Sequence, residues 1–315
     1  MTVRHFLDIA DWSSADIRAM LELANTIKQD RKAWRNALQG QTLGMIFQKK
    51  STRTRVSFEV GMVQLGGHAL FLSSSDIQIG RGETIADTAR VLSRYCDGVM
   101  ARVYGHEVLE ELAAYASVPI INGLSDRLHP CQTMADAQTL IERWSPKGLF
   151  DVDSVRGRKL TYVGDGNNMA HSLLNTGAVL GMDVTIVAPR GYWPDLAVWQ
   201  KAQNRAAESG ATLRCTTDPA EGVAGADAVY TDVWASMGQE DEAAQRLKDF
   251  HGYIVDSTMM AHAKPDAVFL HCLPAHRGEE VSAEVCDGPQ SIIFDEAENR
   301  LHAQKAILVT LMGGR

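Results

Sequence analysis

Ser51-Thr52-Arg53-Thr54-Arg55 crowds hydroxyls and guanidinium groups between the apolar run Leu43 to Phe47 and a helical start at Val56 to Glu59. A helix N-terminus offers unpaired N–H groups and the positive end of the dipole, so these residue types there suit a phosphate. A plain helix cap at Ser51 or Thr52 with solvated arginines satisfies the same pattern. The segment is not a P-loop, because G-x-x-x-x-G-K-[ST] is absent. Leu128-His129-Pro130-Cys131-Gln132-Thr133 precedes a helix expected from about Met134. His129 and Gln132, three apart on a Pro-stiffened turn, can aim at one carbonyl oxygen, or the turn can be an N-cap with a solvent-facing His. Arg102 ends the run Gly98 to Ala101. It is the third anion-binding candidate at a strand end, where α/β sheets bind ligands.

The second half of the chain carries polar candidates of another kind. Tyr162-Val163-Gly164-Asp165-Gly166-Asn167-Asn168-Met169 suggests a dinucleotide turn, yet Met169 stands where G-x-G-x-x-G needs its third glycine. The next strand ends in Ala188-Pro189-Arg190 without an acidic residue for a ribose. Asn168 is left to offer its amide to a polar substrate, or to serve the turn. In Thr231-Asp232-Val233-Trp234-Ala235-Ser236-Met237-Gly238, Asp232 can accept from a substrate ammonium or cap a following helix, and the remainder suits a closing loop. His271-Cys272-Leu273-Pro274 places a thiol beside an imidazole, but neighbours in a strand point to opposite faces, which argues against a nucleophile–base dyad. No second ligand pair at helical or knuckle spacing supports a metal there, and Leu273-Pro274 can be a cis bond.

These segments need a scaffold of short strands alternating with helices, and the chain supplies one. Strands are expected at Leu43 to Phe47, Ala69 to Leu72, Gly98 to Arg102 and Val118 to Ile121. Further strands are expected at Lys159 to Val163, Asp183 to Val187, Thr212 to Cys215, Ala228 to Thr231, Val268 to His271 and Ser291 to Phe294. Helical periodicity lies between them, as in Ala15 to Asn36 with Ile17, Met20, Leu21, Ala24 and Ile27 on one face, capped by Ser13 or Ser14. The class is α/β: two doubly wound parallel-sheet domains with helices on both faces, joined by interdomain helices. The 315 residues exceed one ordinary core, and the Pro/Gly-bearing stretch Ser145 to Gly157 puts the boundary near 150. Domains are expected at 1–150 and 151–296, with helix 297–315 folding back on the first.

Composition narrows the partners. With 39 acidic against 31 basic residues the net charge is −8, and no basic block favours nucleic acid. Five cysteines without a C-x-x-C pair oppose a disulfide framework. No signal-like or membrane-length apolar run appears, so a cytoplasmic protein is expected.

Together the chain resembles the ornithine carbamoyltransferases throughout its length. Ser51-Thr52-Arg53-Thr54-Arg55, His129-Pro130-Cys131-Gln132, Asp232 through Gly238 and His271-Cys272-Leu273-Pro274 occur in that family's order and spacing. The first two are shared with aspartate carbamoyltransferases, and the last two mark the ornithine branch. The resemblance implies transfer of a carbamoyl group from carbamoyl phosphate to the δ-amine of L-ornithine, giving L-citrulline in arginine metabolism, without cofactor or metal. It implies that Ser51, Thr52, Arg53 and Thr54 hold the phosphate, with Gln78 reaching it from a neighbouring subunit. Arg102, His129 and Gln132 would polarise the carbonyl, and Arg300 would complete the pocket. Asn168, Asp232, Ser236 and Met237 would bind ornithine, with Cys272 and the Leu273 carbonyl beside its reacting amine. A homotrimer or a multiple of trimers is implied.

Overall fold

In the computed structural model of the protein, which describes residues 3–74, 82–235, 238 and 240–313, the chain divides into two compact units. The first comprises Met1–Gln138 and Glu298–Arg315, and the second Thr139–Ala297. The first break falls inside a helix, Pro130–Trp144, upstream of Ser145 to Gly157, because the helical run continues unbroken to Trp144.

The first unit holds strands β1 (Thr42–Phe47), β2 (His68–Ser73), β3 (Gly98–Arg102) and β4 (Ile120–Leu124), all parallel, in the order β2-β1-β3-β4. Its helices are α1 (Ser14–Gln29), α2 (Thr52–Gln64), α3 (Ile85–Tyr95), α4 (His106–Tyr115) and the start of α5 (Pro130–Trp144). Every residue of β3 and β4 is buried, as a parallel strand covered on both faces requires. Ile46, Val99, Ala101, Leu109, Leu112 and Ile120 form one core cluster.

The second unit holds β5 (Lys159–Val163), β6 (Asp183–Val187), β7 (Leu213–Thr216), β8 (Ala228–Thr231) and β9 (Val268–His271), parallel in the order β7-β6-β5-β8-β9. Its helices are α6 (Asn168–Leu180), α7 (Leu196–Ser209), α8 (Pro219–Val223), α9 (Ala243–Asp249), α10 (Ser257–Met260) and α11 (Ala283–Cys286). Helix α12 (Ile293–Met312) begins in this unit and runs into the first. Val163, Val187, Val229, Val255, Phe269 and Ile293 belong to one core cluster.

Four local expectations shift. Ser291 to Phe294 is not a strand. Only Ser291 bridges Phe269, after which α12 starts at Ile293 and leaves Phe294 exposed. Helix α1 stops at Gln29, far short of Asn36, where Asp30 closes it and accepts from Lys32 N. Helix α5 starts at Pro130, whose fixed φ and missing N–H suit a first turn, so Cys131 and Gln132 are helical. β4 lies two to three residues later than expected because Phe6 flanks it, donating to Ile120 O and accepting from Asn122 N at 2.8 Å each.

Candidate functional site

Each sheet reverses its direction of winding once, between β1 and β3 in the first unit and between β5 and β8 in the second. Such switch points leave a crevice at the carboxyl ends of the strands. Phe47 and Arg102, the last residues of β1 and β3, pair directly, and Gln48 N donates to Arg102 O at 2.8 Å. The Ser51–Arg55 segment therefore starts beside Arg102. Where β3 meets β4 the register slips between Ala101 and Arg102, so Arg102 faces Leu124 while Ala101 faces Asn122. Gly123 is the extra residue of this bulge, and a Cβ there would lie 2.4 Å from Met100 Sδ. Bulges of this kind re-aim a side chain, and here the side chain is Arg102.

Ser51 caps α2, its hydroxyl accepting from Thr54 N at 3.2 Å. The cap does not exhaust the segment. Thr54 is buried, and its Oγ1 accepts from Arg102 Nη1 at 3.5 Å and from Arg300 Nη2 at 3.0 Å. With both lone pairs taken, the Thr54 hydroxyl has its proton to donate. Arg300 Nη1 donates to Gln132 Oε1 at 2.5 Å, and Gln132 Nε2 donates to Asp136 Oδ1 at 2.8 Å. The Gln132 amide is thus held at both ends. Burial, then Arg300, Arg102 and Arg53, push His129 well below the ordinary histidine range, so it is a neutral donor or acceptor at physiological pH. Burial pushes the Cys131 thiol up to about 12, which makes it inert packing whose Sγ donates to Asn122 O. Ser51, Arg53, Thr54, Arg102, His129, Gln132 and Arg300 are brought together; Thr52 is the exposed first residue of α2. Gln78 lies outside the described residues. Such a concentration of donors suits an anion.

In the second unit Val163 and Thr231 pair at the ends of β5 and β8, and Thr231 pairs with His271 of β9. Asn168 is the buried first residue of α6, capped by Asn167, whose Oδ1 accepts from Met169 N at 2.9 Å. The glycine turn before it packs closely on the chain's own backbone. Gly166 N donates to Tyr192 O at 2.7 Å, and a Cβ on Gly166 would lie 2.4 Å from that oxygen. Asp232 is buried and caps no helix; its Oδ1 accepts from Val233 N at 2.8 Å and from Cys272 Sγ at 3.1 Å. Burial raises its carboxyl above the ordinary range, against the pull of His271, Cys272 and the Val233 N–H. Leu273-Pro274 is cis, and Leu273 has φ +60°. Ser236 and Met237 lie outside the described residues.

Two residue sets escaped the sequence reading. Arg246 of α9 is buried and donates to Asp165 Oδ2 at 2.6 Å, to Trp234 O at 2.8 Å and to Glu242 Oε2 at 3.0 Å. It joins the turn before Asn168 to the segment after Asp232; its only sequence signal is the i,i+4 pair with Glu242. Glu280 is fully buried, its Oε1 3.2 Å from His271 Nε2 and 2.5 Å from the donating His276 N. Since His271 Nδ1 accepts from Leu273 N at 2.8 Å, the His271 proton is on Nε2, facing Glu280. Burial works against Glu280, but His271 and the His276 N–H outweigh it and hold the carboxyl below its ordinary range. The ligand-type atoms of Asp232, His271 and Cys272 lie within 4.8 Å of one another, as do those of His276, Glu279 and Glu280. In the first group both His271 nitrogens already hold Leu273 and Glu280, which disfavours it as a metal site.

Residues 4–142 match the family model described as "Aspartate/ornithine carbamoyltransferase, carbamoyl-P binding domain", and residues 156–311 match "Aspartate/ornithine carbamoyltransferase, Asp/Orn binding domain". The ornithine carbamoyltransferase of Pyrococcus abyssi is 55% identical over 313 residues, 99% of this chain and 96% of that one. The anabolic enzyme of Pyrococcus furiosus is also 55% identical, over 99% and 97% of the two chains. The solved structure of the Pyrococcus furiosus ornithine carbamoyltransferase superposes with a TM-score of 0.93, at 54% identity over 99% of this chain and 98% of that one.

Proposed function

The chain belongs to the aspartate/ornithine carbamoyltransferase family, and from that premise we propose that it transfers the carbamoyl group of carbamoyl phosphate to the δ-amine of L-ornithine, releasing L-citrulline and phosphate. The observation that carries the reading is the convergence of Arg102 and Arg300 on Thr54 Oγ1 at the N-terminus of α2. A phosphate there meets two guanidiniums, a hydroxyl proton and the helix dipole. Ser51 and Thr52 belong to the same turn, and Arg53 adds its charge.

Attack of the neutral δ-amine forms the N–C bond and pushes the carbonyl electrons onto oxygen. Collapse breaks the C–O bond to phosphate, which leaves with the proton that the amine gives up. Negative charge grows on the carbonyl oxygen, where Arg102, His129 and the Gln132 amide are the donors, and on the leaving phosphate, held by Arg53, Thr54 and Arg300. A neutral His129 donates a hydrogen bond without giving up a proton. Holding both reactants in attack geometry is worth about 7–11 kcal/mol of the barrier. On the amine side, Asp232 receives the α-ammonium and Asn168 the α-carboxylate region, with Ser236 and Met237 completing that pocket. The Cys272 thiol donates to Asp232, and with the Leu273 carbonyl it borders the reacting amine; no covalent cysteine intermediate is needed.

We further propose that the protein works as a homotrimer or a multiple of trimers in the cytoplasm, making citrulline for arginine synthesis. Self-association is supported by Val56, Val60 and Val63, exposed on one face of α2, and by Leu70 and Phe71, exposed on β2 at the sheet edge. Among the described residues no helix is long and apolar enough to cross a membrane. The test is ureido-product formation from carbamoyl phosphate with ornithine, N-acetylornithine, putrescine or aspartate as acceptor. Ornithine should exceed the others in kcat/KM by at least about 100-fold, the discrimination expected where a buried charge must be paired; preference for another acceptor would overturn the assignment.

A further inference from the structure

We propose that Lys49 is a positioning residue for the carbamoyl phosphate pocket, a cation that pins together the three strand-end segments carrying the anion-binding groups; this rests on the functional reading above. Lys49 sits between β1 and the Ser51 cap, and its side chain is only 4% exposed. Its ammonium pairs with Asp126, in the turn after β4 that leads to His129. The same ammonium stands 4.5 Å over the ring of Tyr104, two residues beyond Arg102. Backbone bonds fix the rest of the junction. Tyr104 N donates to Gln48 Oε1 at 3.2 Å, and Asp126 N donates to Tyr104 O at 2.9 Å.

Stability alone is a poor reason for this arrangement. Asp126 is 57% exposed, so water screens the pair and its contribution to folding is small. A methionine would fill the channel of the lysine stem at least as well. What a methionine cannot do is hold an anion on one segment and a ring face on another at once. The groups so aligned are Ser51 and Arg53 on the first segment, Arg102 on the second and His129 on the third, and all of them must meet one ligand.

Lys49→Met, Asp126→Asn and the double variant are compared in steady-state citrulline formation, with thermal unfolding in parallel. Misplacing groups that fix a reactant by about 1 Å costs up to about 100-fold, so a smaller slip in Lys49→Met should raise KM for carbamoyl phosphate about tenfold. In that variant kcat should fall by no more than about threefold, and KM for ornithine should not change. Asp126→Asn should raise the same KM, and the double variant should be no worse than Lys49→Met, because both changes remove one interaction. Wild-type kinetics in Asp126→Asn beside a high KM in Lys49→Met would mean that Lys49 touches the phosphate itself and would overturn the proposal. A fall in Tm with unchanged kinetics would overturn it too, by reducing Lys49 to a staple. If Lys49→Met does not fold, Asp126→Asn alone decides through the same KM. Failure of the functional reading is separable, since the wild-type protein would then make no citrulline.

Discussion

Arg246→Gln removes the cation that joins the turn before Asn168 to the segment after Asp232. Three hydrogen bonds go with it, to Asp165 at 2.6 Å, Trp234 O at 2.8 Å and Glu242 at 3.0 Å. Glu242 is exposed and contributes little. Asp165 is different, because its carboxylate is left buried without a countercharge, and removing one partner of a buried pair costs about 3–5 kcal/mol. At about 2 °C per kcal/mol, the low end of the usual range and suited to a long chain, Tm should fall by about 6–10 °C. The pH dependence supplies an internal check. Burial already holds the Asp165 carboxyl above its ordinary range although Arg246 pulls it down, so losing Arg246 raises it further. A carboxyl raised in the folded state contributes stability below its unfolded pKa and loses it as pH rises through the folded one. The deficit of the variant should therefore be widest at neutral pH and shrink as pH falls toward 4. Kinetically, KM for ornithine should rise about tenfold, with KM for carbamoyl phosphate unchanged, from misplacement of Asn168 and Asp232. Urea unfolding across pH 4–8 and two-substrate kinetics measure both effects. A pH-independent deficit would refute the electrostatic account, and a lower Tm with unchanged ornithine KM would refute the positioning account.

Arg53→Ala should lower kcat/KM for carbamoyl phosphate by at least about 100-fold, the scale of losing one charge-assisted donor; near-native kinetics with intact circular dichroism would remove Arg53 from the pocket. Asp232→Asn should raise KM for ornithine far more than for carbamoyl phosphate, and equal effects would assign Asp232 a purely structural role. Cys272→Ser should keep measurable turnover, and mass-spectrometric trapping of a carbamoylated Cys272 would contradict the direct-attack chemistry. Burial, with Lys305, Lys28 and Arg31 nearby, lowers His302 to about 4 from 6.5. Such a group stabilises the fold above its unfolded pKa, and that contribution is lost as pH falls from 6.5 to about 4. His302→Gln should flatten the acid limb of the stability curve by up to about one proton, or about 1.4 kcal/mol per pH unit; an unchanged slope would sink the assignment.

The scaffold was readable where apolar runs are bounded by turn residues. Gly98 to Arg102 and Lys159 to Val163 fall on β3 and β5 as expected. Ser291 to Phe294 misled because three apolar residues in a row fit a strand and the first turn of a helix equally well. The first turn of α5 was hidden because Pro130 reads as punctuation, though it is equally a helix starter. Within the site, hydroxyls and arginines beside a strand are legible from residue type alone. Arg246, Glu280 and Lys49 were not, since each acts through a partner more than 70 residues away or through a main-chain bond that sequence spacing does not encode. Gly166 shows the converse: a motif-like glycine whose reason is the backbone of Tyr192 and not a cofactor.

Arg300 sits on α12, which returns to the first unit only after Thr139–Ala297 has been made. A growing chain therefore carries all four strands β1 to β4 well before it carries Arg300. About 160 residues separate the two pieces, and at about 5–20 residues per second that interval lasts ~8–30 s. During it Thr54 and Gln132 stand without the guanidinium that later orients them. In chains that stop before residue 300 the ends of β1 and β3 are present while the guanidinium that bridges Thr54 to Gln132 is missing.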